Sequence, residues 1–361
     1  MAVSGVSRLI LAVSCAALVL AGYSVYQNSI PAATDGQISQ LSKVMMIPAW
    51  LDDTLDAANL LSYFGFGKSS GKLSTQACVF AAVKEVVDAA INAEARMGAS
   101  LIRLHFHDCF VDGCDGGILL NDTASFTGEQ GAAPNSGSVR GFSVIEQAKL
   151  NAKTKCSDTP VSCADVLAIA ARDSYAKFTG RTYNITLGAR RDARTANLTG
   201  ANTQLPAPFD NLTVQTQKFA DKNFSQREMV ALAGAHTIGV SRCVLLCQSG
   251  NLNANRTATL ACNCTAPGTA VVGMDPTPTT FDKRYFEELV KGQGLFFSDA
   301  ELMSSNTTGT VARRYRDATG AFLTDFAAAM VKMSNLPPSP GVQLEIRDVC
   351  GRVNANSVES M

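Results

Sequence analysis

The chain has 361 residues, of which 46% are hydrophobic and 17% charged, and its formal net charge is zero. That length and apolar fraction allow a sizeable core and exclude an intrinsically disordered chain. With charges balanced and no basic tract, nothing suits it to binding nucleic acid.

The first element in chain order is an apolar run. Arg8 precedes LILAVSCAALVLAG at residues 9–22, short for a bilayer span and well sized for the apolar stretch of a signal peptide. Residues 1–22 are therefore expected to be removed, leaving a secreted protein with no membrane attachment; an uncleaved anchor is the rival. Glycosylation sequons begin at Asn121, Asn184, Asn197, Asn211, Asn223, Asn255, Asn263 and Asn306, which fits export. So does the cysteine arithmetic: of eleven cysteines, Cys15 lies in the leader, leaving an even ten.

Residues 23–72 read as an N-terminal extension and linker. PAWLDDTLDAANLLSYFGFG spaces Leu51, Leu55, Ala58 and Leu61 as a short amphipathic helix, and GKSSGK follows as a linker. From Leu73 helical periodicity dominates, in one main domain over 73–356 with a tail at 357–361. STQACVFAAVKEVVDAAINAEARMGASLIRLHFHDCF keeps a 3.6-residue repeat, with Gly98 as the expected break. SCADVLAIAARDSYAKF starts at a candidate N-cap, Ser162. SQREMVALAGAHTIG, TFDKRYFEELVKG and TGAFLTDFAAAMVKM are also helical in pattern, and TYNITLGA is the best strand candidate. The expected class is mainly α, with few short strands.

Residues 103–115, RLHFHDCFVDGCD, hold two of the chain's three histidines. On a helix Arg103 and His107 are i and i+4 and share a face, whereas His105 points nearly the opposite way. That spacing disfavours a zinc site built on both histidines. One imidazole beside one guanidinium suits proton transfer with stabilisation of charge on a small oxygen substrate. Asp108 and Asp115 flank the turn VDGC, and carboxylates with turn carbonyls form an oxygen-rich set suited to calcium. Cys109 and Cys114 are close enough in sequence to close that loop as a disulfide.

The third histidine, His236, ends the helical pattern in LAGAHTIG. An imidazole that binds iron needs a partner on its other nitrogen, and Asp299 in FFSDAEL is the candidate. Between them, MDPTPTTFD places Asp275, Thr277, Thr280 and Asp282 in a second oxygen-rich loop. The CNC at 262–264 is too tight for a zinc knuckle.

RLHFHDCFVDGCD, PNSGSVRGF, VSCADVLAIAARD, LPAPF, MVALAGAHTIG, TFD and FSDAEL occur in collinear order over residues 73–356. Together they resemble the secretory plant peroxidases, the class III haem family. The resemblance implies a haem-peroxidase fold, with distal and proximal helical subdomains sandwiching haem b. It implies that hydrogen peroxide is reduced to water through a ferryl haem while small phenolic donors are oxidised in one-electron steps. His107 would be the acid–base and Arg103 the polarising cation. Asn135 would hold His107, and Glu129 would link that network to a distal calcium. His236 would ligate iron, with Asp299 as its carboxylate partner, and Pro206 would mark the donor site, with Phe209 beside it.

The resemblance also implies two calcium ions. The distal set would be Asp108, the carbonyls of Val111 and Gly113, Asp115 and position 117, where the family's serine is replaced by Gly117. The proximal set would be Thr237, Asp275, Thr277, Thr280 and Asp282, in a loop one residue shorter than usual. Implied disulfides are Cys78–Cys156, Cys109–Cys114 and Cys163–Cys350. Cys243, Cys247, Cys262 and Cys264 would supply two more, with Cys243–Cys264 around Cys247–Cys262 preferred. Trp50 is the only tryptophan, Tyr183 stands where the family usually has one, and Ala189 interrupts LGARRD. An ascorbate-type intracellular peroxidase is disfavoured by the cysteines and sequons. An inactive wall-binding relative is disfavoured by the filled catalytic positions. A monomer in the cell wall, the extracellular space or the vacuole is expected.

Overall fold

In a computed structural model of the chain, the described residues are 75–124, 126–156, 159–248, 252–254 and 270–355. The expected signal peptide, the extension with Trp50, Cys262, Cys264, the sequons at Asn255 and Asn263 and the C-terminal tail lie outside them. The pairing preferred for Cys243 and Cys247 therefore falls there too, although both of these cysteines are disulfide-bonded.

Two helices open the domain: α1 (Thr75–Ala93) and α2 (Arg96–Cys109). The break between them is at Glu94–Ala95, not at Gly98 as the sequence suggests. Gly98 lies inside α2, where a Cβ would stand 2.5 Å from the ring of Phe178. The missing side chain thus allows close helix packing instead of a turn. The corner is held instead by Arg140, which donates to both oxygens of Glu94 at 2.6 Å.

Next come α3 (Phe142–Lys155) and α4 (Cys163–Thr179). Cys78–Cys156 ties α1 to the end of α3. Ser162 caps α4, accepting from the Asp165 N–H at 3.0 Å. The buried Asp192 carboxylate accepts from Cys163 N and Ala164 N at 3.0 and 2.9 Å. An anion at a helix N-terminus meets both the free amides and the positive end of the dipole. Most of α4 is buried, packed against α1 and α2.

TYNITLGA forms no strand. Its alternation is real, since Tyr183 and Ile185 are buried while Asn184 and Thr186 are exposed. No neighbouring described segment pairs with it, and period-2 burial without a ladder is only an extended loop.

The rest of the domain follows β1 (Asp192–Ala193), α5 (Leu198–Gln204), α6 (Leu212–Ala220), α7 (Gln226–Ala233), β2 (Val240–Arg242), α8 (Cys243–Leu246) and β3 (Val271–Gly273). It closes with α9 (Arg284–Val290), α10 (Phe297–Glu301), α11 (Asn306–Asp317), α12 (Thr319–Ser334) and β4 (Leu344–Glu345). Twelve α-helices among the described residues make the chain mainly α. The strands form two antiparallel ribbons, β1 with β4 and β2 with β3. Asn197, Asn211 and Ser225 cap α5, α6 and α7, and Ser225 and Glu228 form a full capping box. Helix α7 packs against α11 and α12, and α9 against α11.

The C-terminal segment locks onto α4 through Cys163–Cys350. Arg347, fully buried, donates to the carbonyls of Gly116 (2.5 Å) and Cys350 (2.8 Å), while its backbone N–H reaches Asp192 at 2.8 Å.

Candidate active site

Helix α2 presents Arg103 and His107 to the loop at 134–138. Arg103 donates to the Pro134 carbonyl at 2.8 Å and to Ser138 Oγ at 3.1 Å. Burial pulls its pKa down to about 10, so it stays cationic at neutral pH. His107 Nδ1 meets Asn135 Oδ1 at 2.5 Å. Asn135 Nδ2 in turn donates to the Glu129 carbonyl at 2.8 Å. An amide that spends its N–H on a carbonyl must offer its oxygen to the imidazole. The His107 proton is therefore on Nδ1, and Nε2 carries the free lone pair. Burial, and next the Arg103 charge, hold His107 well below the usual histidine range, so it stays neutral.

His105 faces the other way, with Nε2 2.8 Å from Ser334 Oγ on α12. Burial lowers its pKa to about 3, so it serves as a neutral packing residue. It also lies 3.5 Å from the Sγ of Cys109, which is bonded to Cys114, so these three side chains offer no metal site. Phe106 and Phe110 stack at 4.1 Å, and Phe110 meets Phe219 of α6 at 4.9 Å, fixing the rotation of α2.

Beyond α2 the chain turns sharply through Asp112 and Gly113, at φ 59° and 90°. A Cβ on Gly113 would stand 2.1 Å from the Pro337 carbonyl, so only glycine fits. The turn carries Val111 and Gly113 between Asp108 and Asp115, and Glu129 comes in from the next loop. Neither Asp108 oxygen nor Glu129 Oε2 has a hydrogen-bond partner, though all are buried. Burial raises Asp108 to about 7 and, with help from the Asp108 charge, raises Asp115 to about 8. Burial pushes Glu129 well up too, and the neighbouring carboxylates add to it. Three buried acids, two of them with orphaned oxygens, are the chemistry of a hard-cation cradle.

A stability trend follows for the metal-stripped protein. Because the folded-state values lie above the unfolded ones, the folded chain binds these protons more tightly. Stability is then highest below the ordinary carboxylate range, about pH 4, and falls as pH rises through about 7 to 8. Denaturant titrations of chelated protein should show this fall, and calcium should remove it. A chelated protein that gained stability over that range would contradict the cradle's charge balance.

His236 lies on a 3₁₀ turn, Gly234–Thr237, that continues α7. Its Nδ1 is 2.8 Å from Asp299 Oδ1. The same oxygen accepts from the Tyr285 hydroxyl at 2.8 Å, and Asp299 Oδ2 accepts from the Phe296 N–H at 2.9 Å. The rings of Tyr285 and Phe296 approach His236 edge-on at 5.9 and 5.6 Å. Nε2 has no partner among the described residues, and the imidazole side chain is 40% exposed. Two contacts bring this segment against the distal one. A Cβ on Gly239 would meet Ala99 of α2 at 3.3 Å, and Arg242 donates to the Ser136 carbonyl at 3.4 Å.

The second oxygen-rich loop is assembled on the same 3₁₀ turn. Thr237 Oγ1 donates to Asp275 Oδ2 at 2.7 Å and approaches Asp282 Oδ1 at 3.3 Å. Thr277 reaches Asp275 through its N–H (2.7 Å) and Asp282 through its hydroxyl (3.1 Å). Thr280 donates its N–H to the Thr277 carbonyl at 2.9 Å. Burial raises Asp275, opposed first by the Thr237 hydrogen bond.

A sequence profile described as Peroxidase matches residues 83–318. The chain belongs to the class III plant peroxidases. It is 74% identical over 353 residues to the neutral peroxidase of Ipomoea batatas, covering 97% of this chain and 99% of that one. Identity is 65% over 359 residues to the anionic peroxidase of the same plant, covering 99% and 96%. The suberization-associated anionic peroxidase of Solanum tuberosum is 55% identical over 365 residues, covering 98% and 99%.

The chain is thus an enzyme, a peroxidase, and its helical architecture is that of the family. Membership implies haem, and the residues present fit it. An imidazole whose Nδ1 is held by a buried carboxylate while Nε2 is open is the donor arrangement an iron centre needs. Cys78–Cys156, Cys109–Cys114 and Cys163–Cys350 are present as disulfides. The peroxidase places Pro206 between α5 and α6, close in sequence to Phe209, which is 57% exposed. That loop is joined to Asp299's helix, because the Ser298 N–H donates to the Pro208 carbonyl at 2.9 Å. The sequence reading missed Ser138, Arg242 and Tyr285. Of these, only the spacing of Tyr285 from Asp299, fourteen residues, was available in advance, and it carries no signal by itself.

Proposed function

We propose that this peroxidase uses His107 and Arg103 to cleave hydrogen peroxide and offers the oxidising equivalents to phenolic donors near Pro206. Nε2 of His107 takes the proton from the approaching peroxide oxygen and returns it to the leaving oxygen, which departs as water. Arg103 stabilises the charge that develops between those events. Asn135 keeps the reactive nitrogen unprotonated, and Asp299 orients His236, which would hold the haem iron. Haem, when bound, would supply the redox chemistry that couples peroxide reduction to one-electron oxidation of the donors. The observation that carries this reading is the Asn135-fixed tautomer of His107 beside a half-buried arginine.

Two calcium ions complete it. Asp108, Asp115 and the Val111 and Gly113 carbonyls serve the distal ion, and Glu129 links it to the Asn135–His107 network. Thr237, Asp275, Thr277, Thr280 and Asp282 serve the proximal one. Export is supported by the disulfides and sequons, and no helix among the described residues is long and apolar enough to cross a membrane.

The test is the absorption spectrum of the haem-loaded protein before and after one equivalent of peroxide. The Soret band should shift and then return with guaiacol. A band indifferent to peroxide would overturn the roles of His107 and Arg103; the absence of any band would overturn that of His236.

A further inference from the structure

We infer that Glu129 is itself a direct ligand of the distal cation, in the space that the absent side chain of residue 117 leaves open. This rests on the calcium reading above and goes one step further, since it makes the two side chains mutually exclusive. An ideal Cβ built on Gly117 would stand 2.6 Å from Glu129 Oε1, 3.4 Å from its Cδ and 3.1 Å from Asp115 Oδ1. Side-chain carbons do not approach oxygens as closely as the first of these. Any larger residue at 117 would therefore displace the Glu129 carboxylate from its position.

The carboxylate is aimed inward. Oε1 accepts only from the Asn197 N–H, at 3.1 Å, while Oε2 is buried with no partner, as are both oxygens of Asp108. An orphaned carboxylate oxygen facing two other carboxylates is costly unless a cation lies among them. The Gly117 N–H spends itself on Asp115 Oδ1 at 2.9 Å, so the backbone of residue 117 has no second donor for Glu129. A cavity of about 450 Å³ adjoins the cradle, lined in part by Asp112, Asp115, Glu129, Thr195 and Asn197. It gives a hydrated ion a polar route to the site.

Exchanging a neutral hydroxyl for a carboxylate changes the charge of the ligand set. Asp108, Asp115 and Glu129 together carry three negative charges when ionised. A trivalent cation of calcium's size matches that total, so the site should favour terbium over calcium, which ligand charge count governs.

The experiment is calcium titration of the holoenzyme by calorimetry, with terbium luminescence as a second probe. Wild type should show two binding events, with terbium displacing calcium from one of them first. Glu129→Gln keeps the side chain's shape and should weaken one event by more than about 100-fold, beyond the roughly 10–100-fold that losing an outer-shell partner costs, with the other unchanged. Glu129→Ala, which empties that space, should weaken the same event, and adding Gly117→Ser to it should restore much of the loss, because a hydroxyl then enters the vacated space. Gly117→Ser alone should weaken the same event, since serine and Glu129 compete. If Glu129→Gln weakened neither event by more than about 100-fold, Glu129 would lie no nearer than the outer shell and this inference would fail while the calcium reading stood. A wild-type protein with no second event would overturn the calcium reading itself.

Discussion

His107→Leu should slow the peroxide-driven Soret change by about 10²–10⁴-fold, the range that a positioned acid–base contributes. Leucine is of similar bulk, so the buried face of α2 stays filled. It cannot accept a proton, and the loss therefore falls on the step with peroxide. Haem content should be unchanged, because every group on His236 lies on other elements. The change also leaves Asn135 Oδ1 without its donor, a penalty of about 1–3 kcal/mol for a buried acceptor. A fall in melting temperature is expected alongside the kinetic loss. Stopped-flow mixing at several peroxide concentrations separates the two, and a rate within about tenfold of wild type would remove His107 from the mechanism.

Asp299→Asn should loosen haem and lower activity by about 10–100-fold, the usual effect of losing the partner of a metal-bound imidazole. The reason lies in how fully the carboxylate is used. Oδ1 accepts from His236 and Tyr285, and Oδ2 accepts from the Phe296 N–H. An amide offers one acceptor and one donor, so at least one of those N–H or O–H groups would face another donor. Tyr285→Phe is the milder control. Burial, with the Asp299 charge beside it, keeps the Tyr285 hydroxyl protonated. Removing it leaves the carboxylate to His236 and Phe296 alone, so the imidazole should become the stronger iron donor. The iron–histidine stretching frequency of the reduced protein reports this directly: up in Tyr285→Phe, down in Asp299→Asn. Unchanged frequencies in both would show that Asp299 does not act on the axial ligand.

Much of this site can be read from local sequence because its chemistry is local. Arg103, His105 and His107 follow helical geometry, so their faces can be assigned before any fold is known. Ser162 as a cap is equally local. The misreadings come from tertiary packing. Gly98 reads as a breaker and is instead the point where Phe178 lies against α2. TYNITLGA has the right alternation but no described strand beside it. Tyr285 and Arg347 give no warning, because their partners, Asp299 in one case and the Gly116 carbonyl in the other, are brought to them only by folding. Position 117 shows the same limit: the sequence reveals that a hydroxyl is missing, but only the structure shows a carboxylate in its place.

The bond between Cys163 and Cys350 spans 187 residues. His236, Asp299, Pro206 and every proposed proximal calcium ligand lie within that span, so they belong to one covalent ring. Helices α1 to α3 and the distal loop at 110–138 lie outside it. A protease that cuts the ring once opens the circle without releasing a fragment, since both new ends remain tethered through the disulfide. Such a nicked molecule would migrate as a single chain until reduced, and its proximal half would stay within reach of the distal histidine. For the exported enzyme proposed above, meeting hydrolases where repair is absent, the ring is a form of damage tolerance built into connectivity.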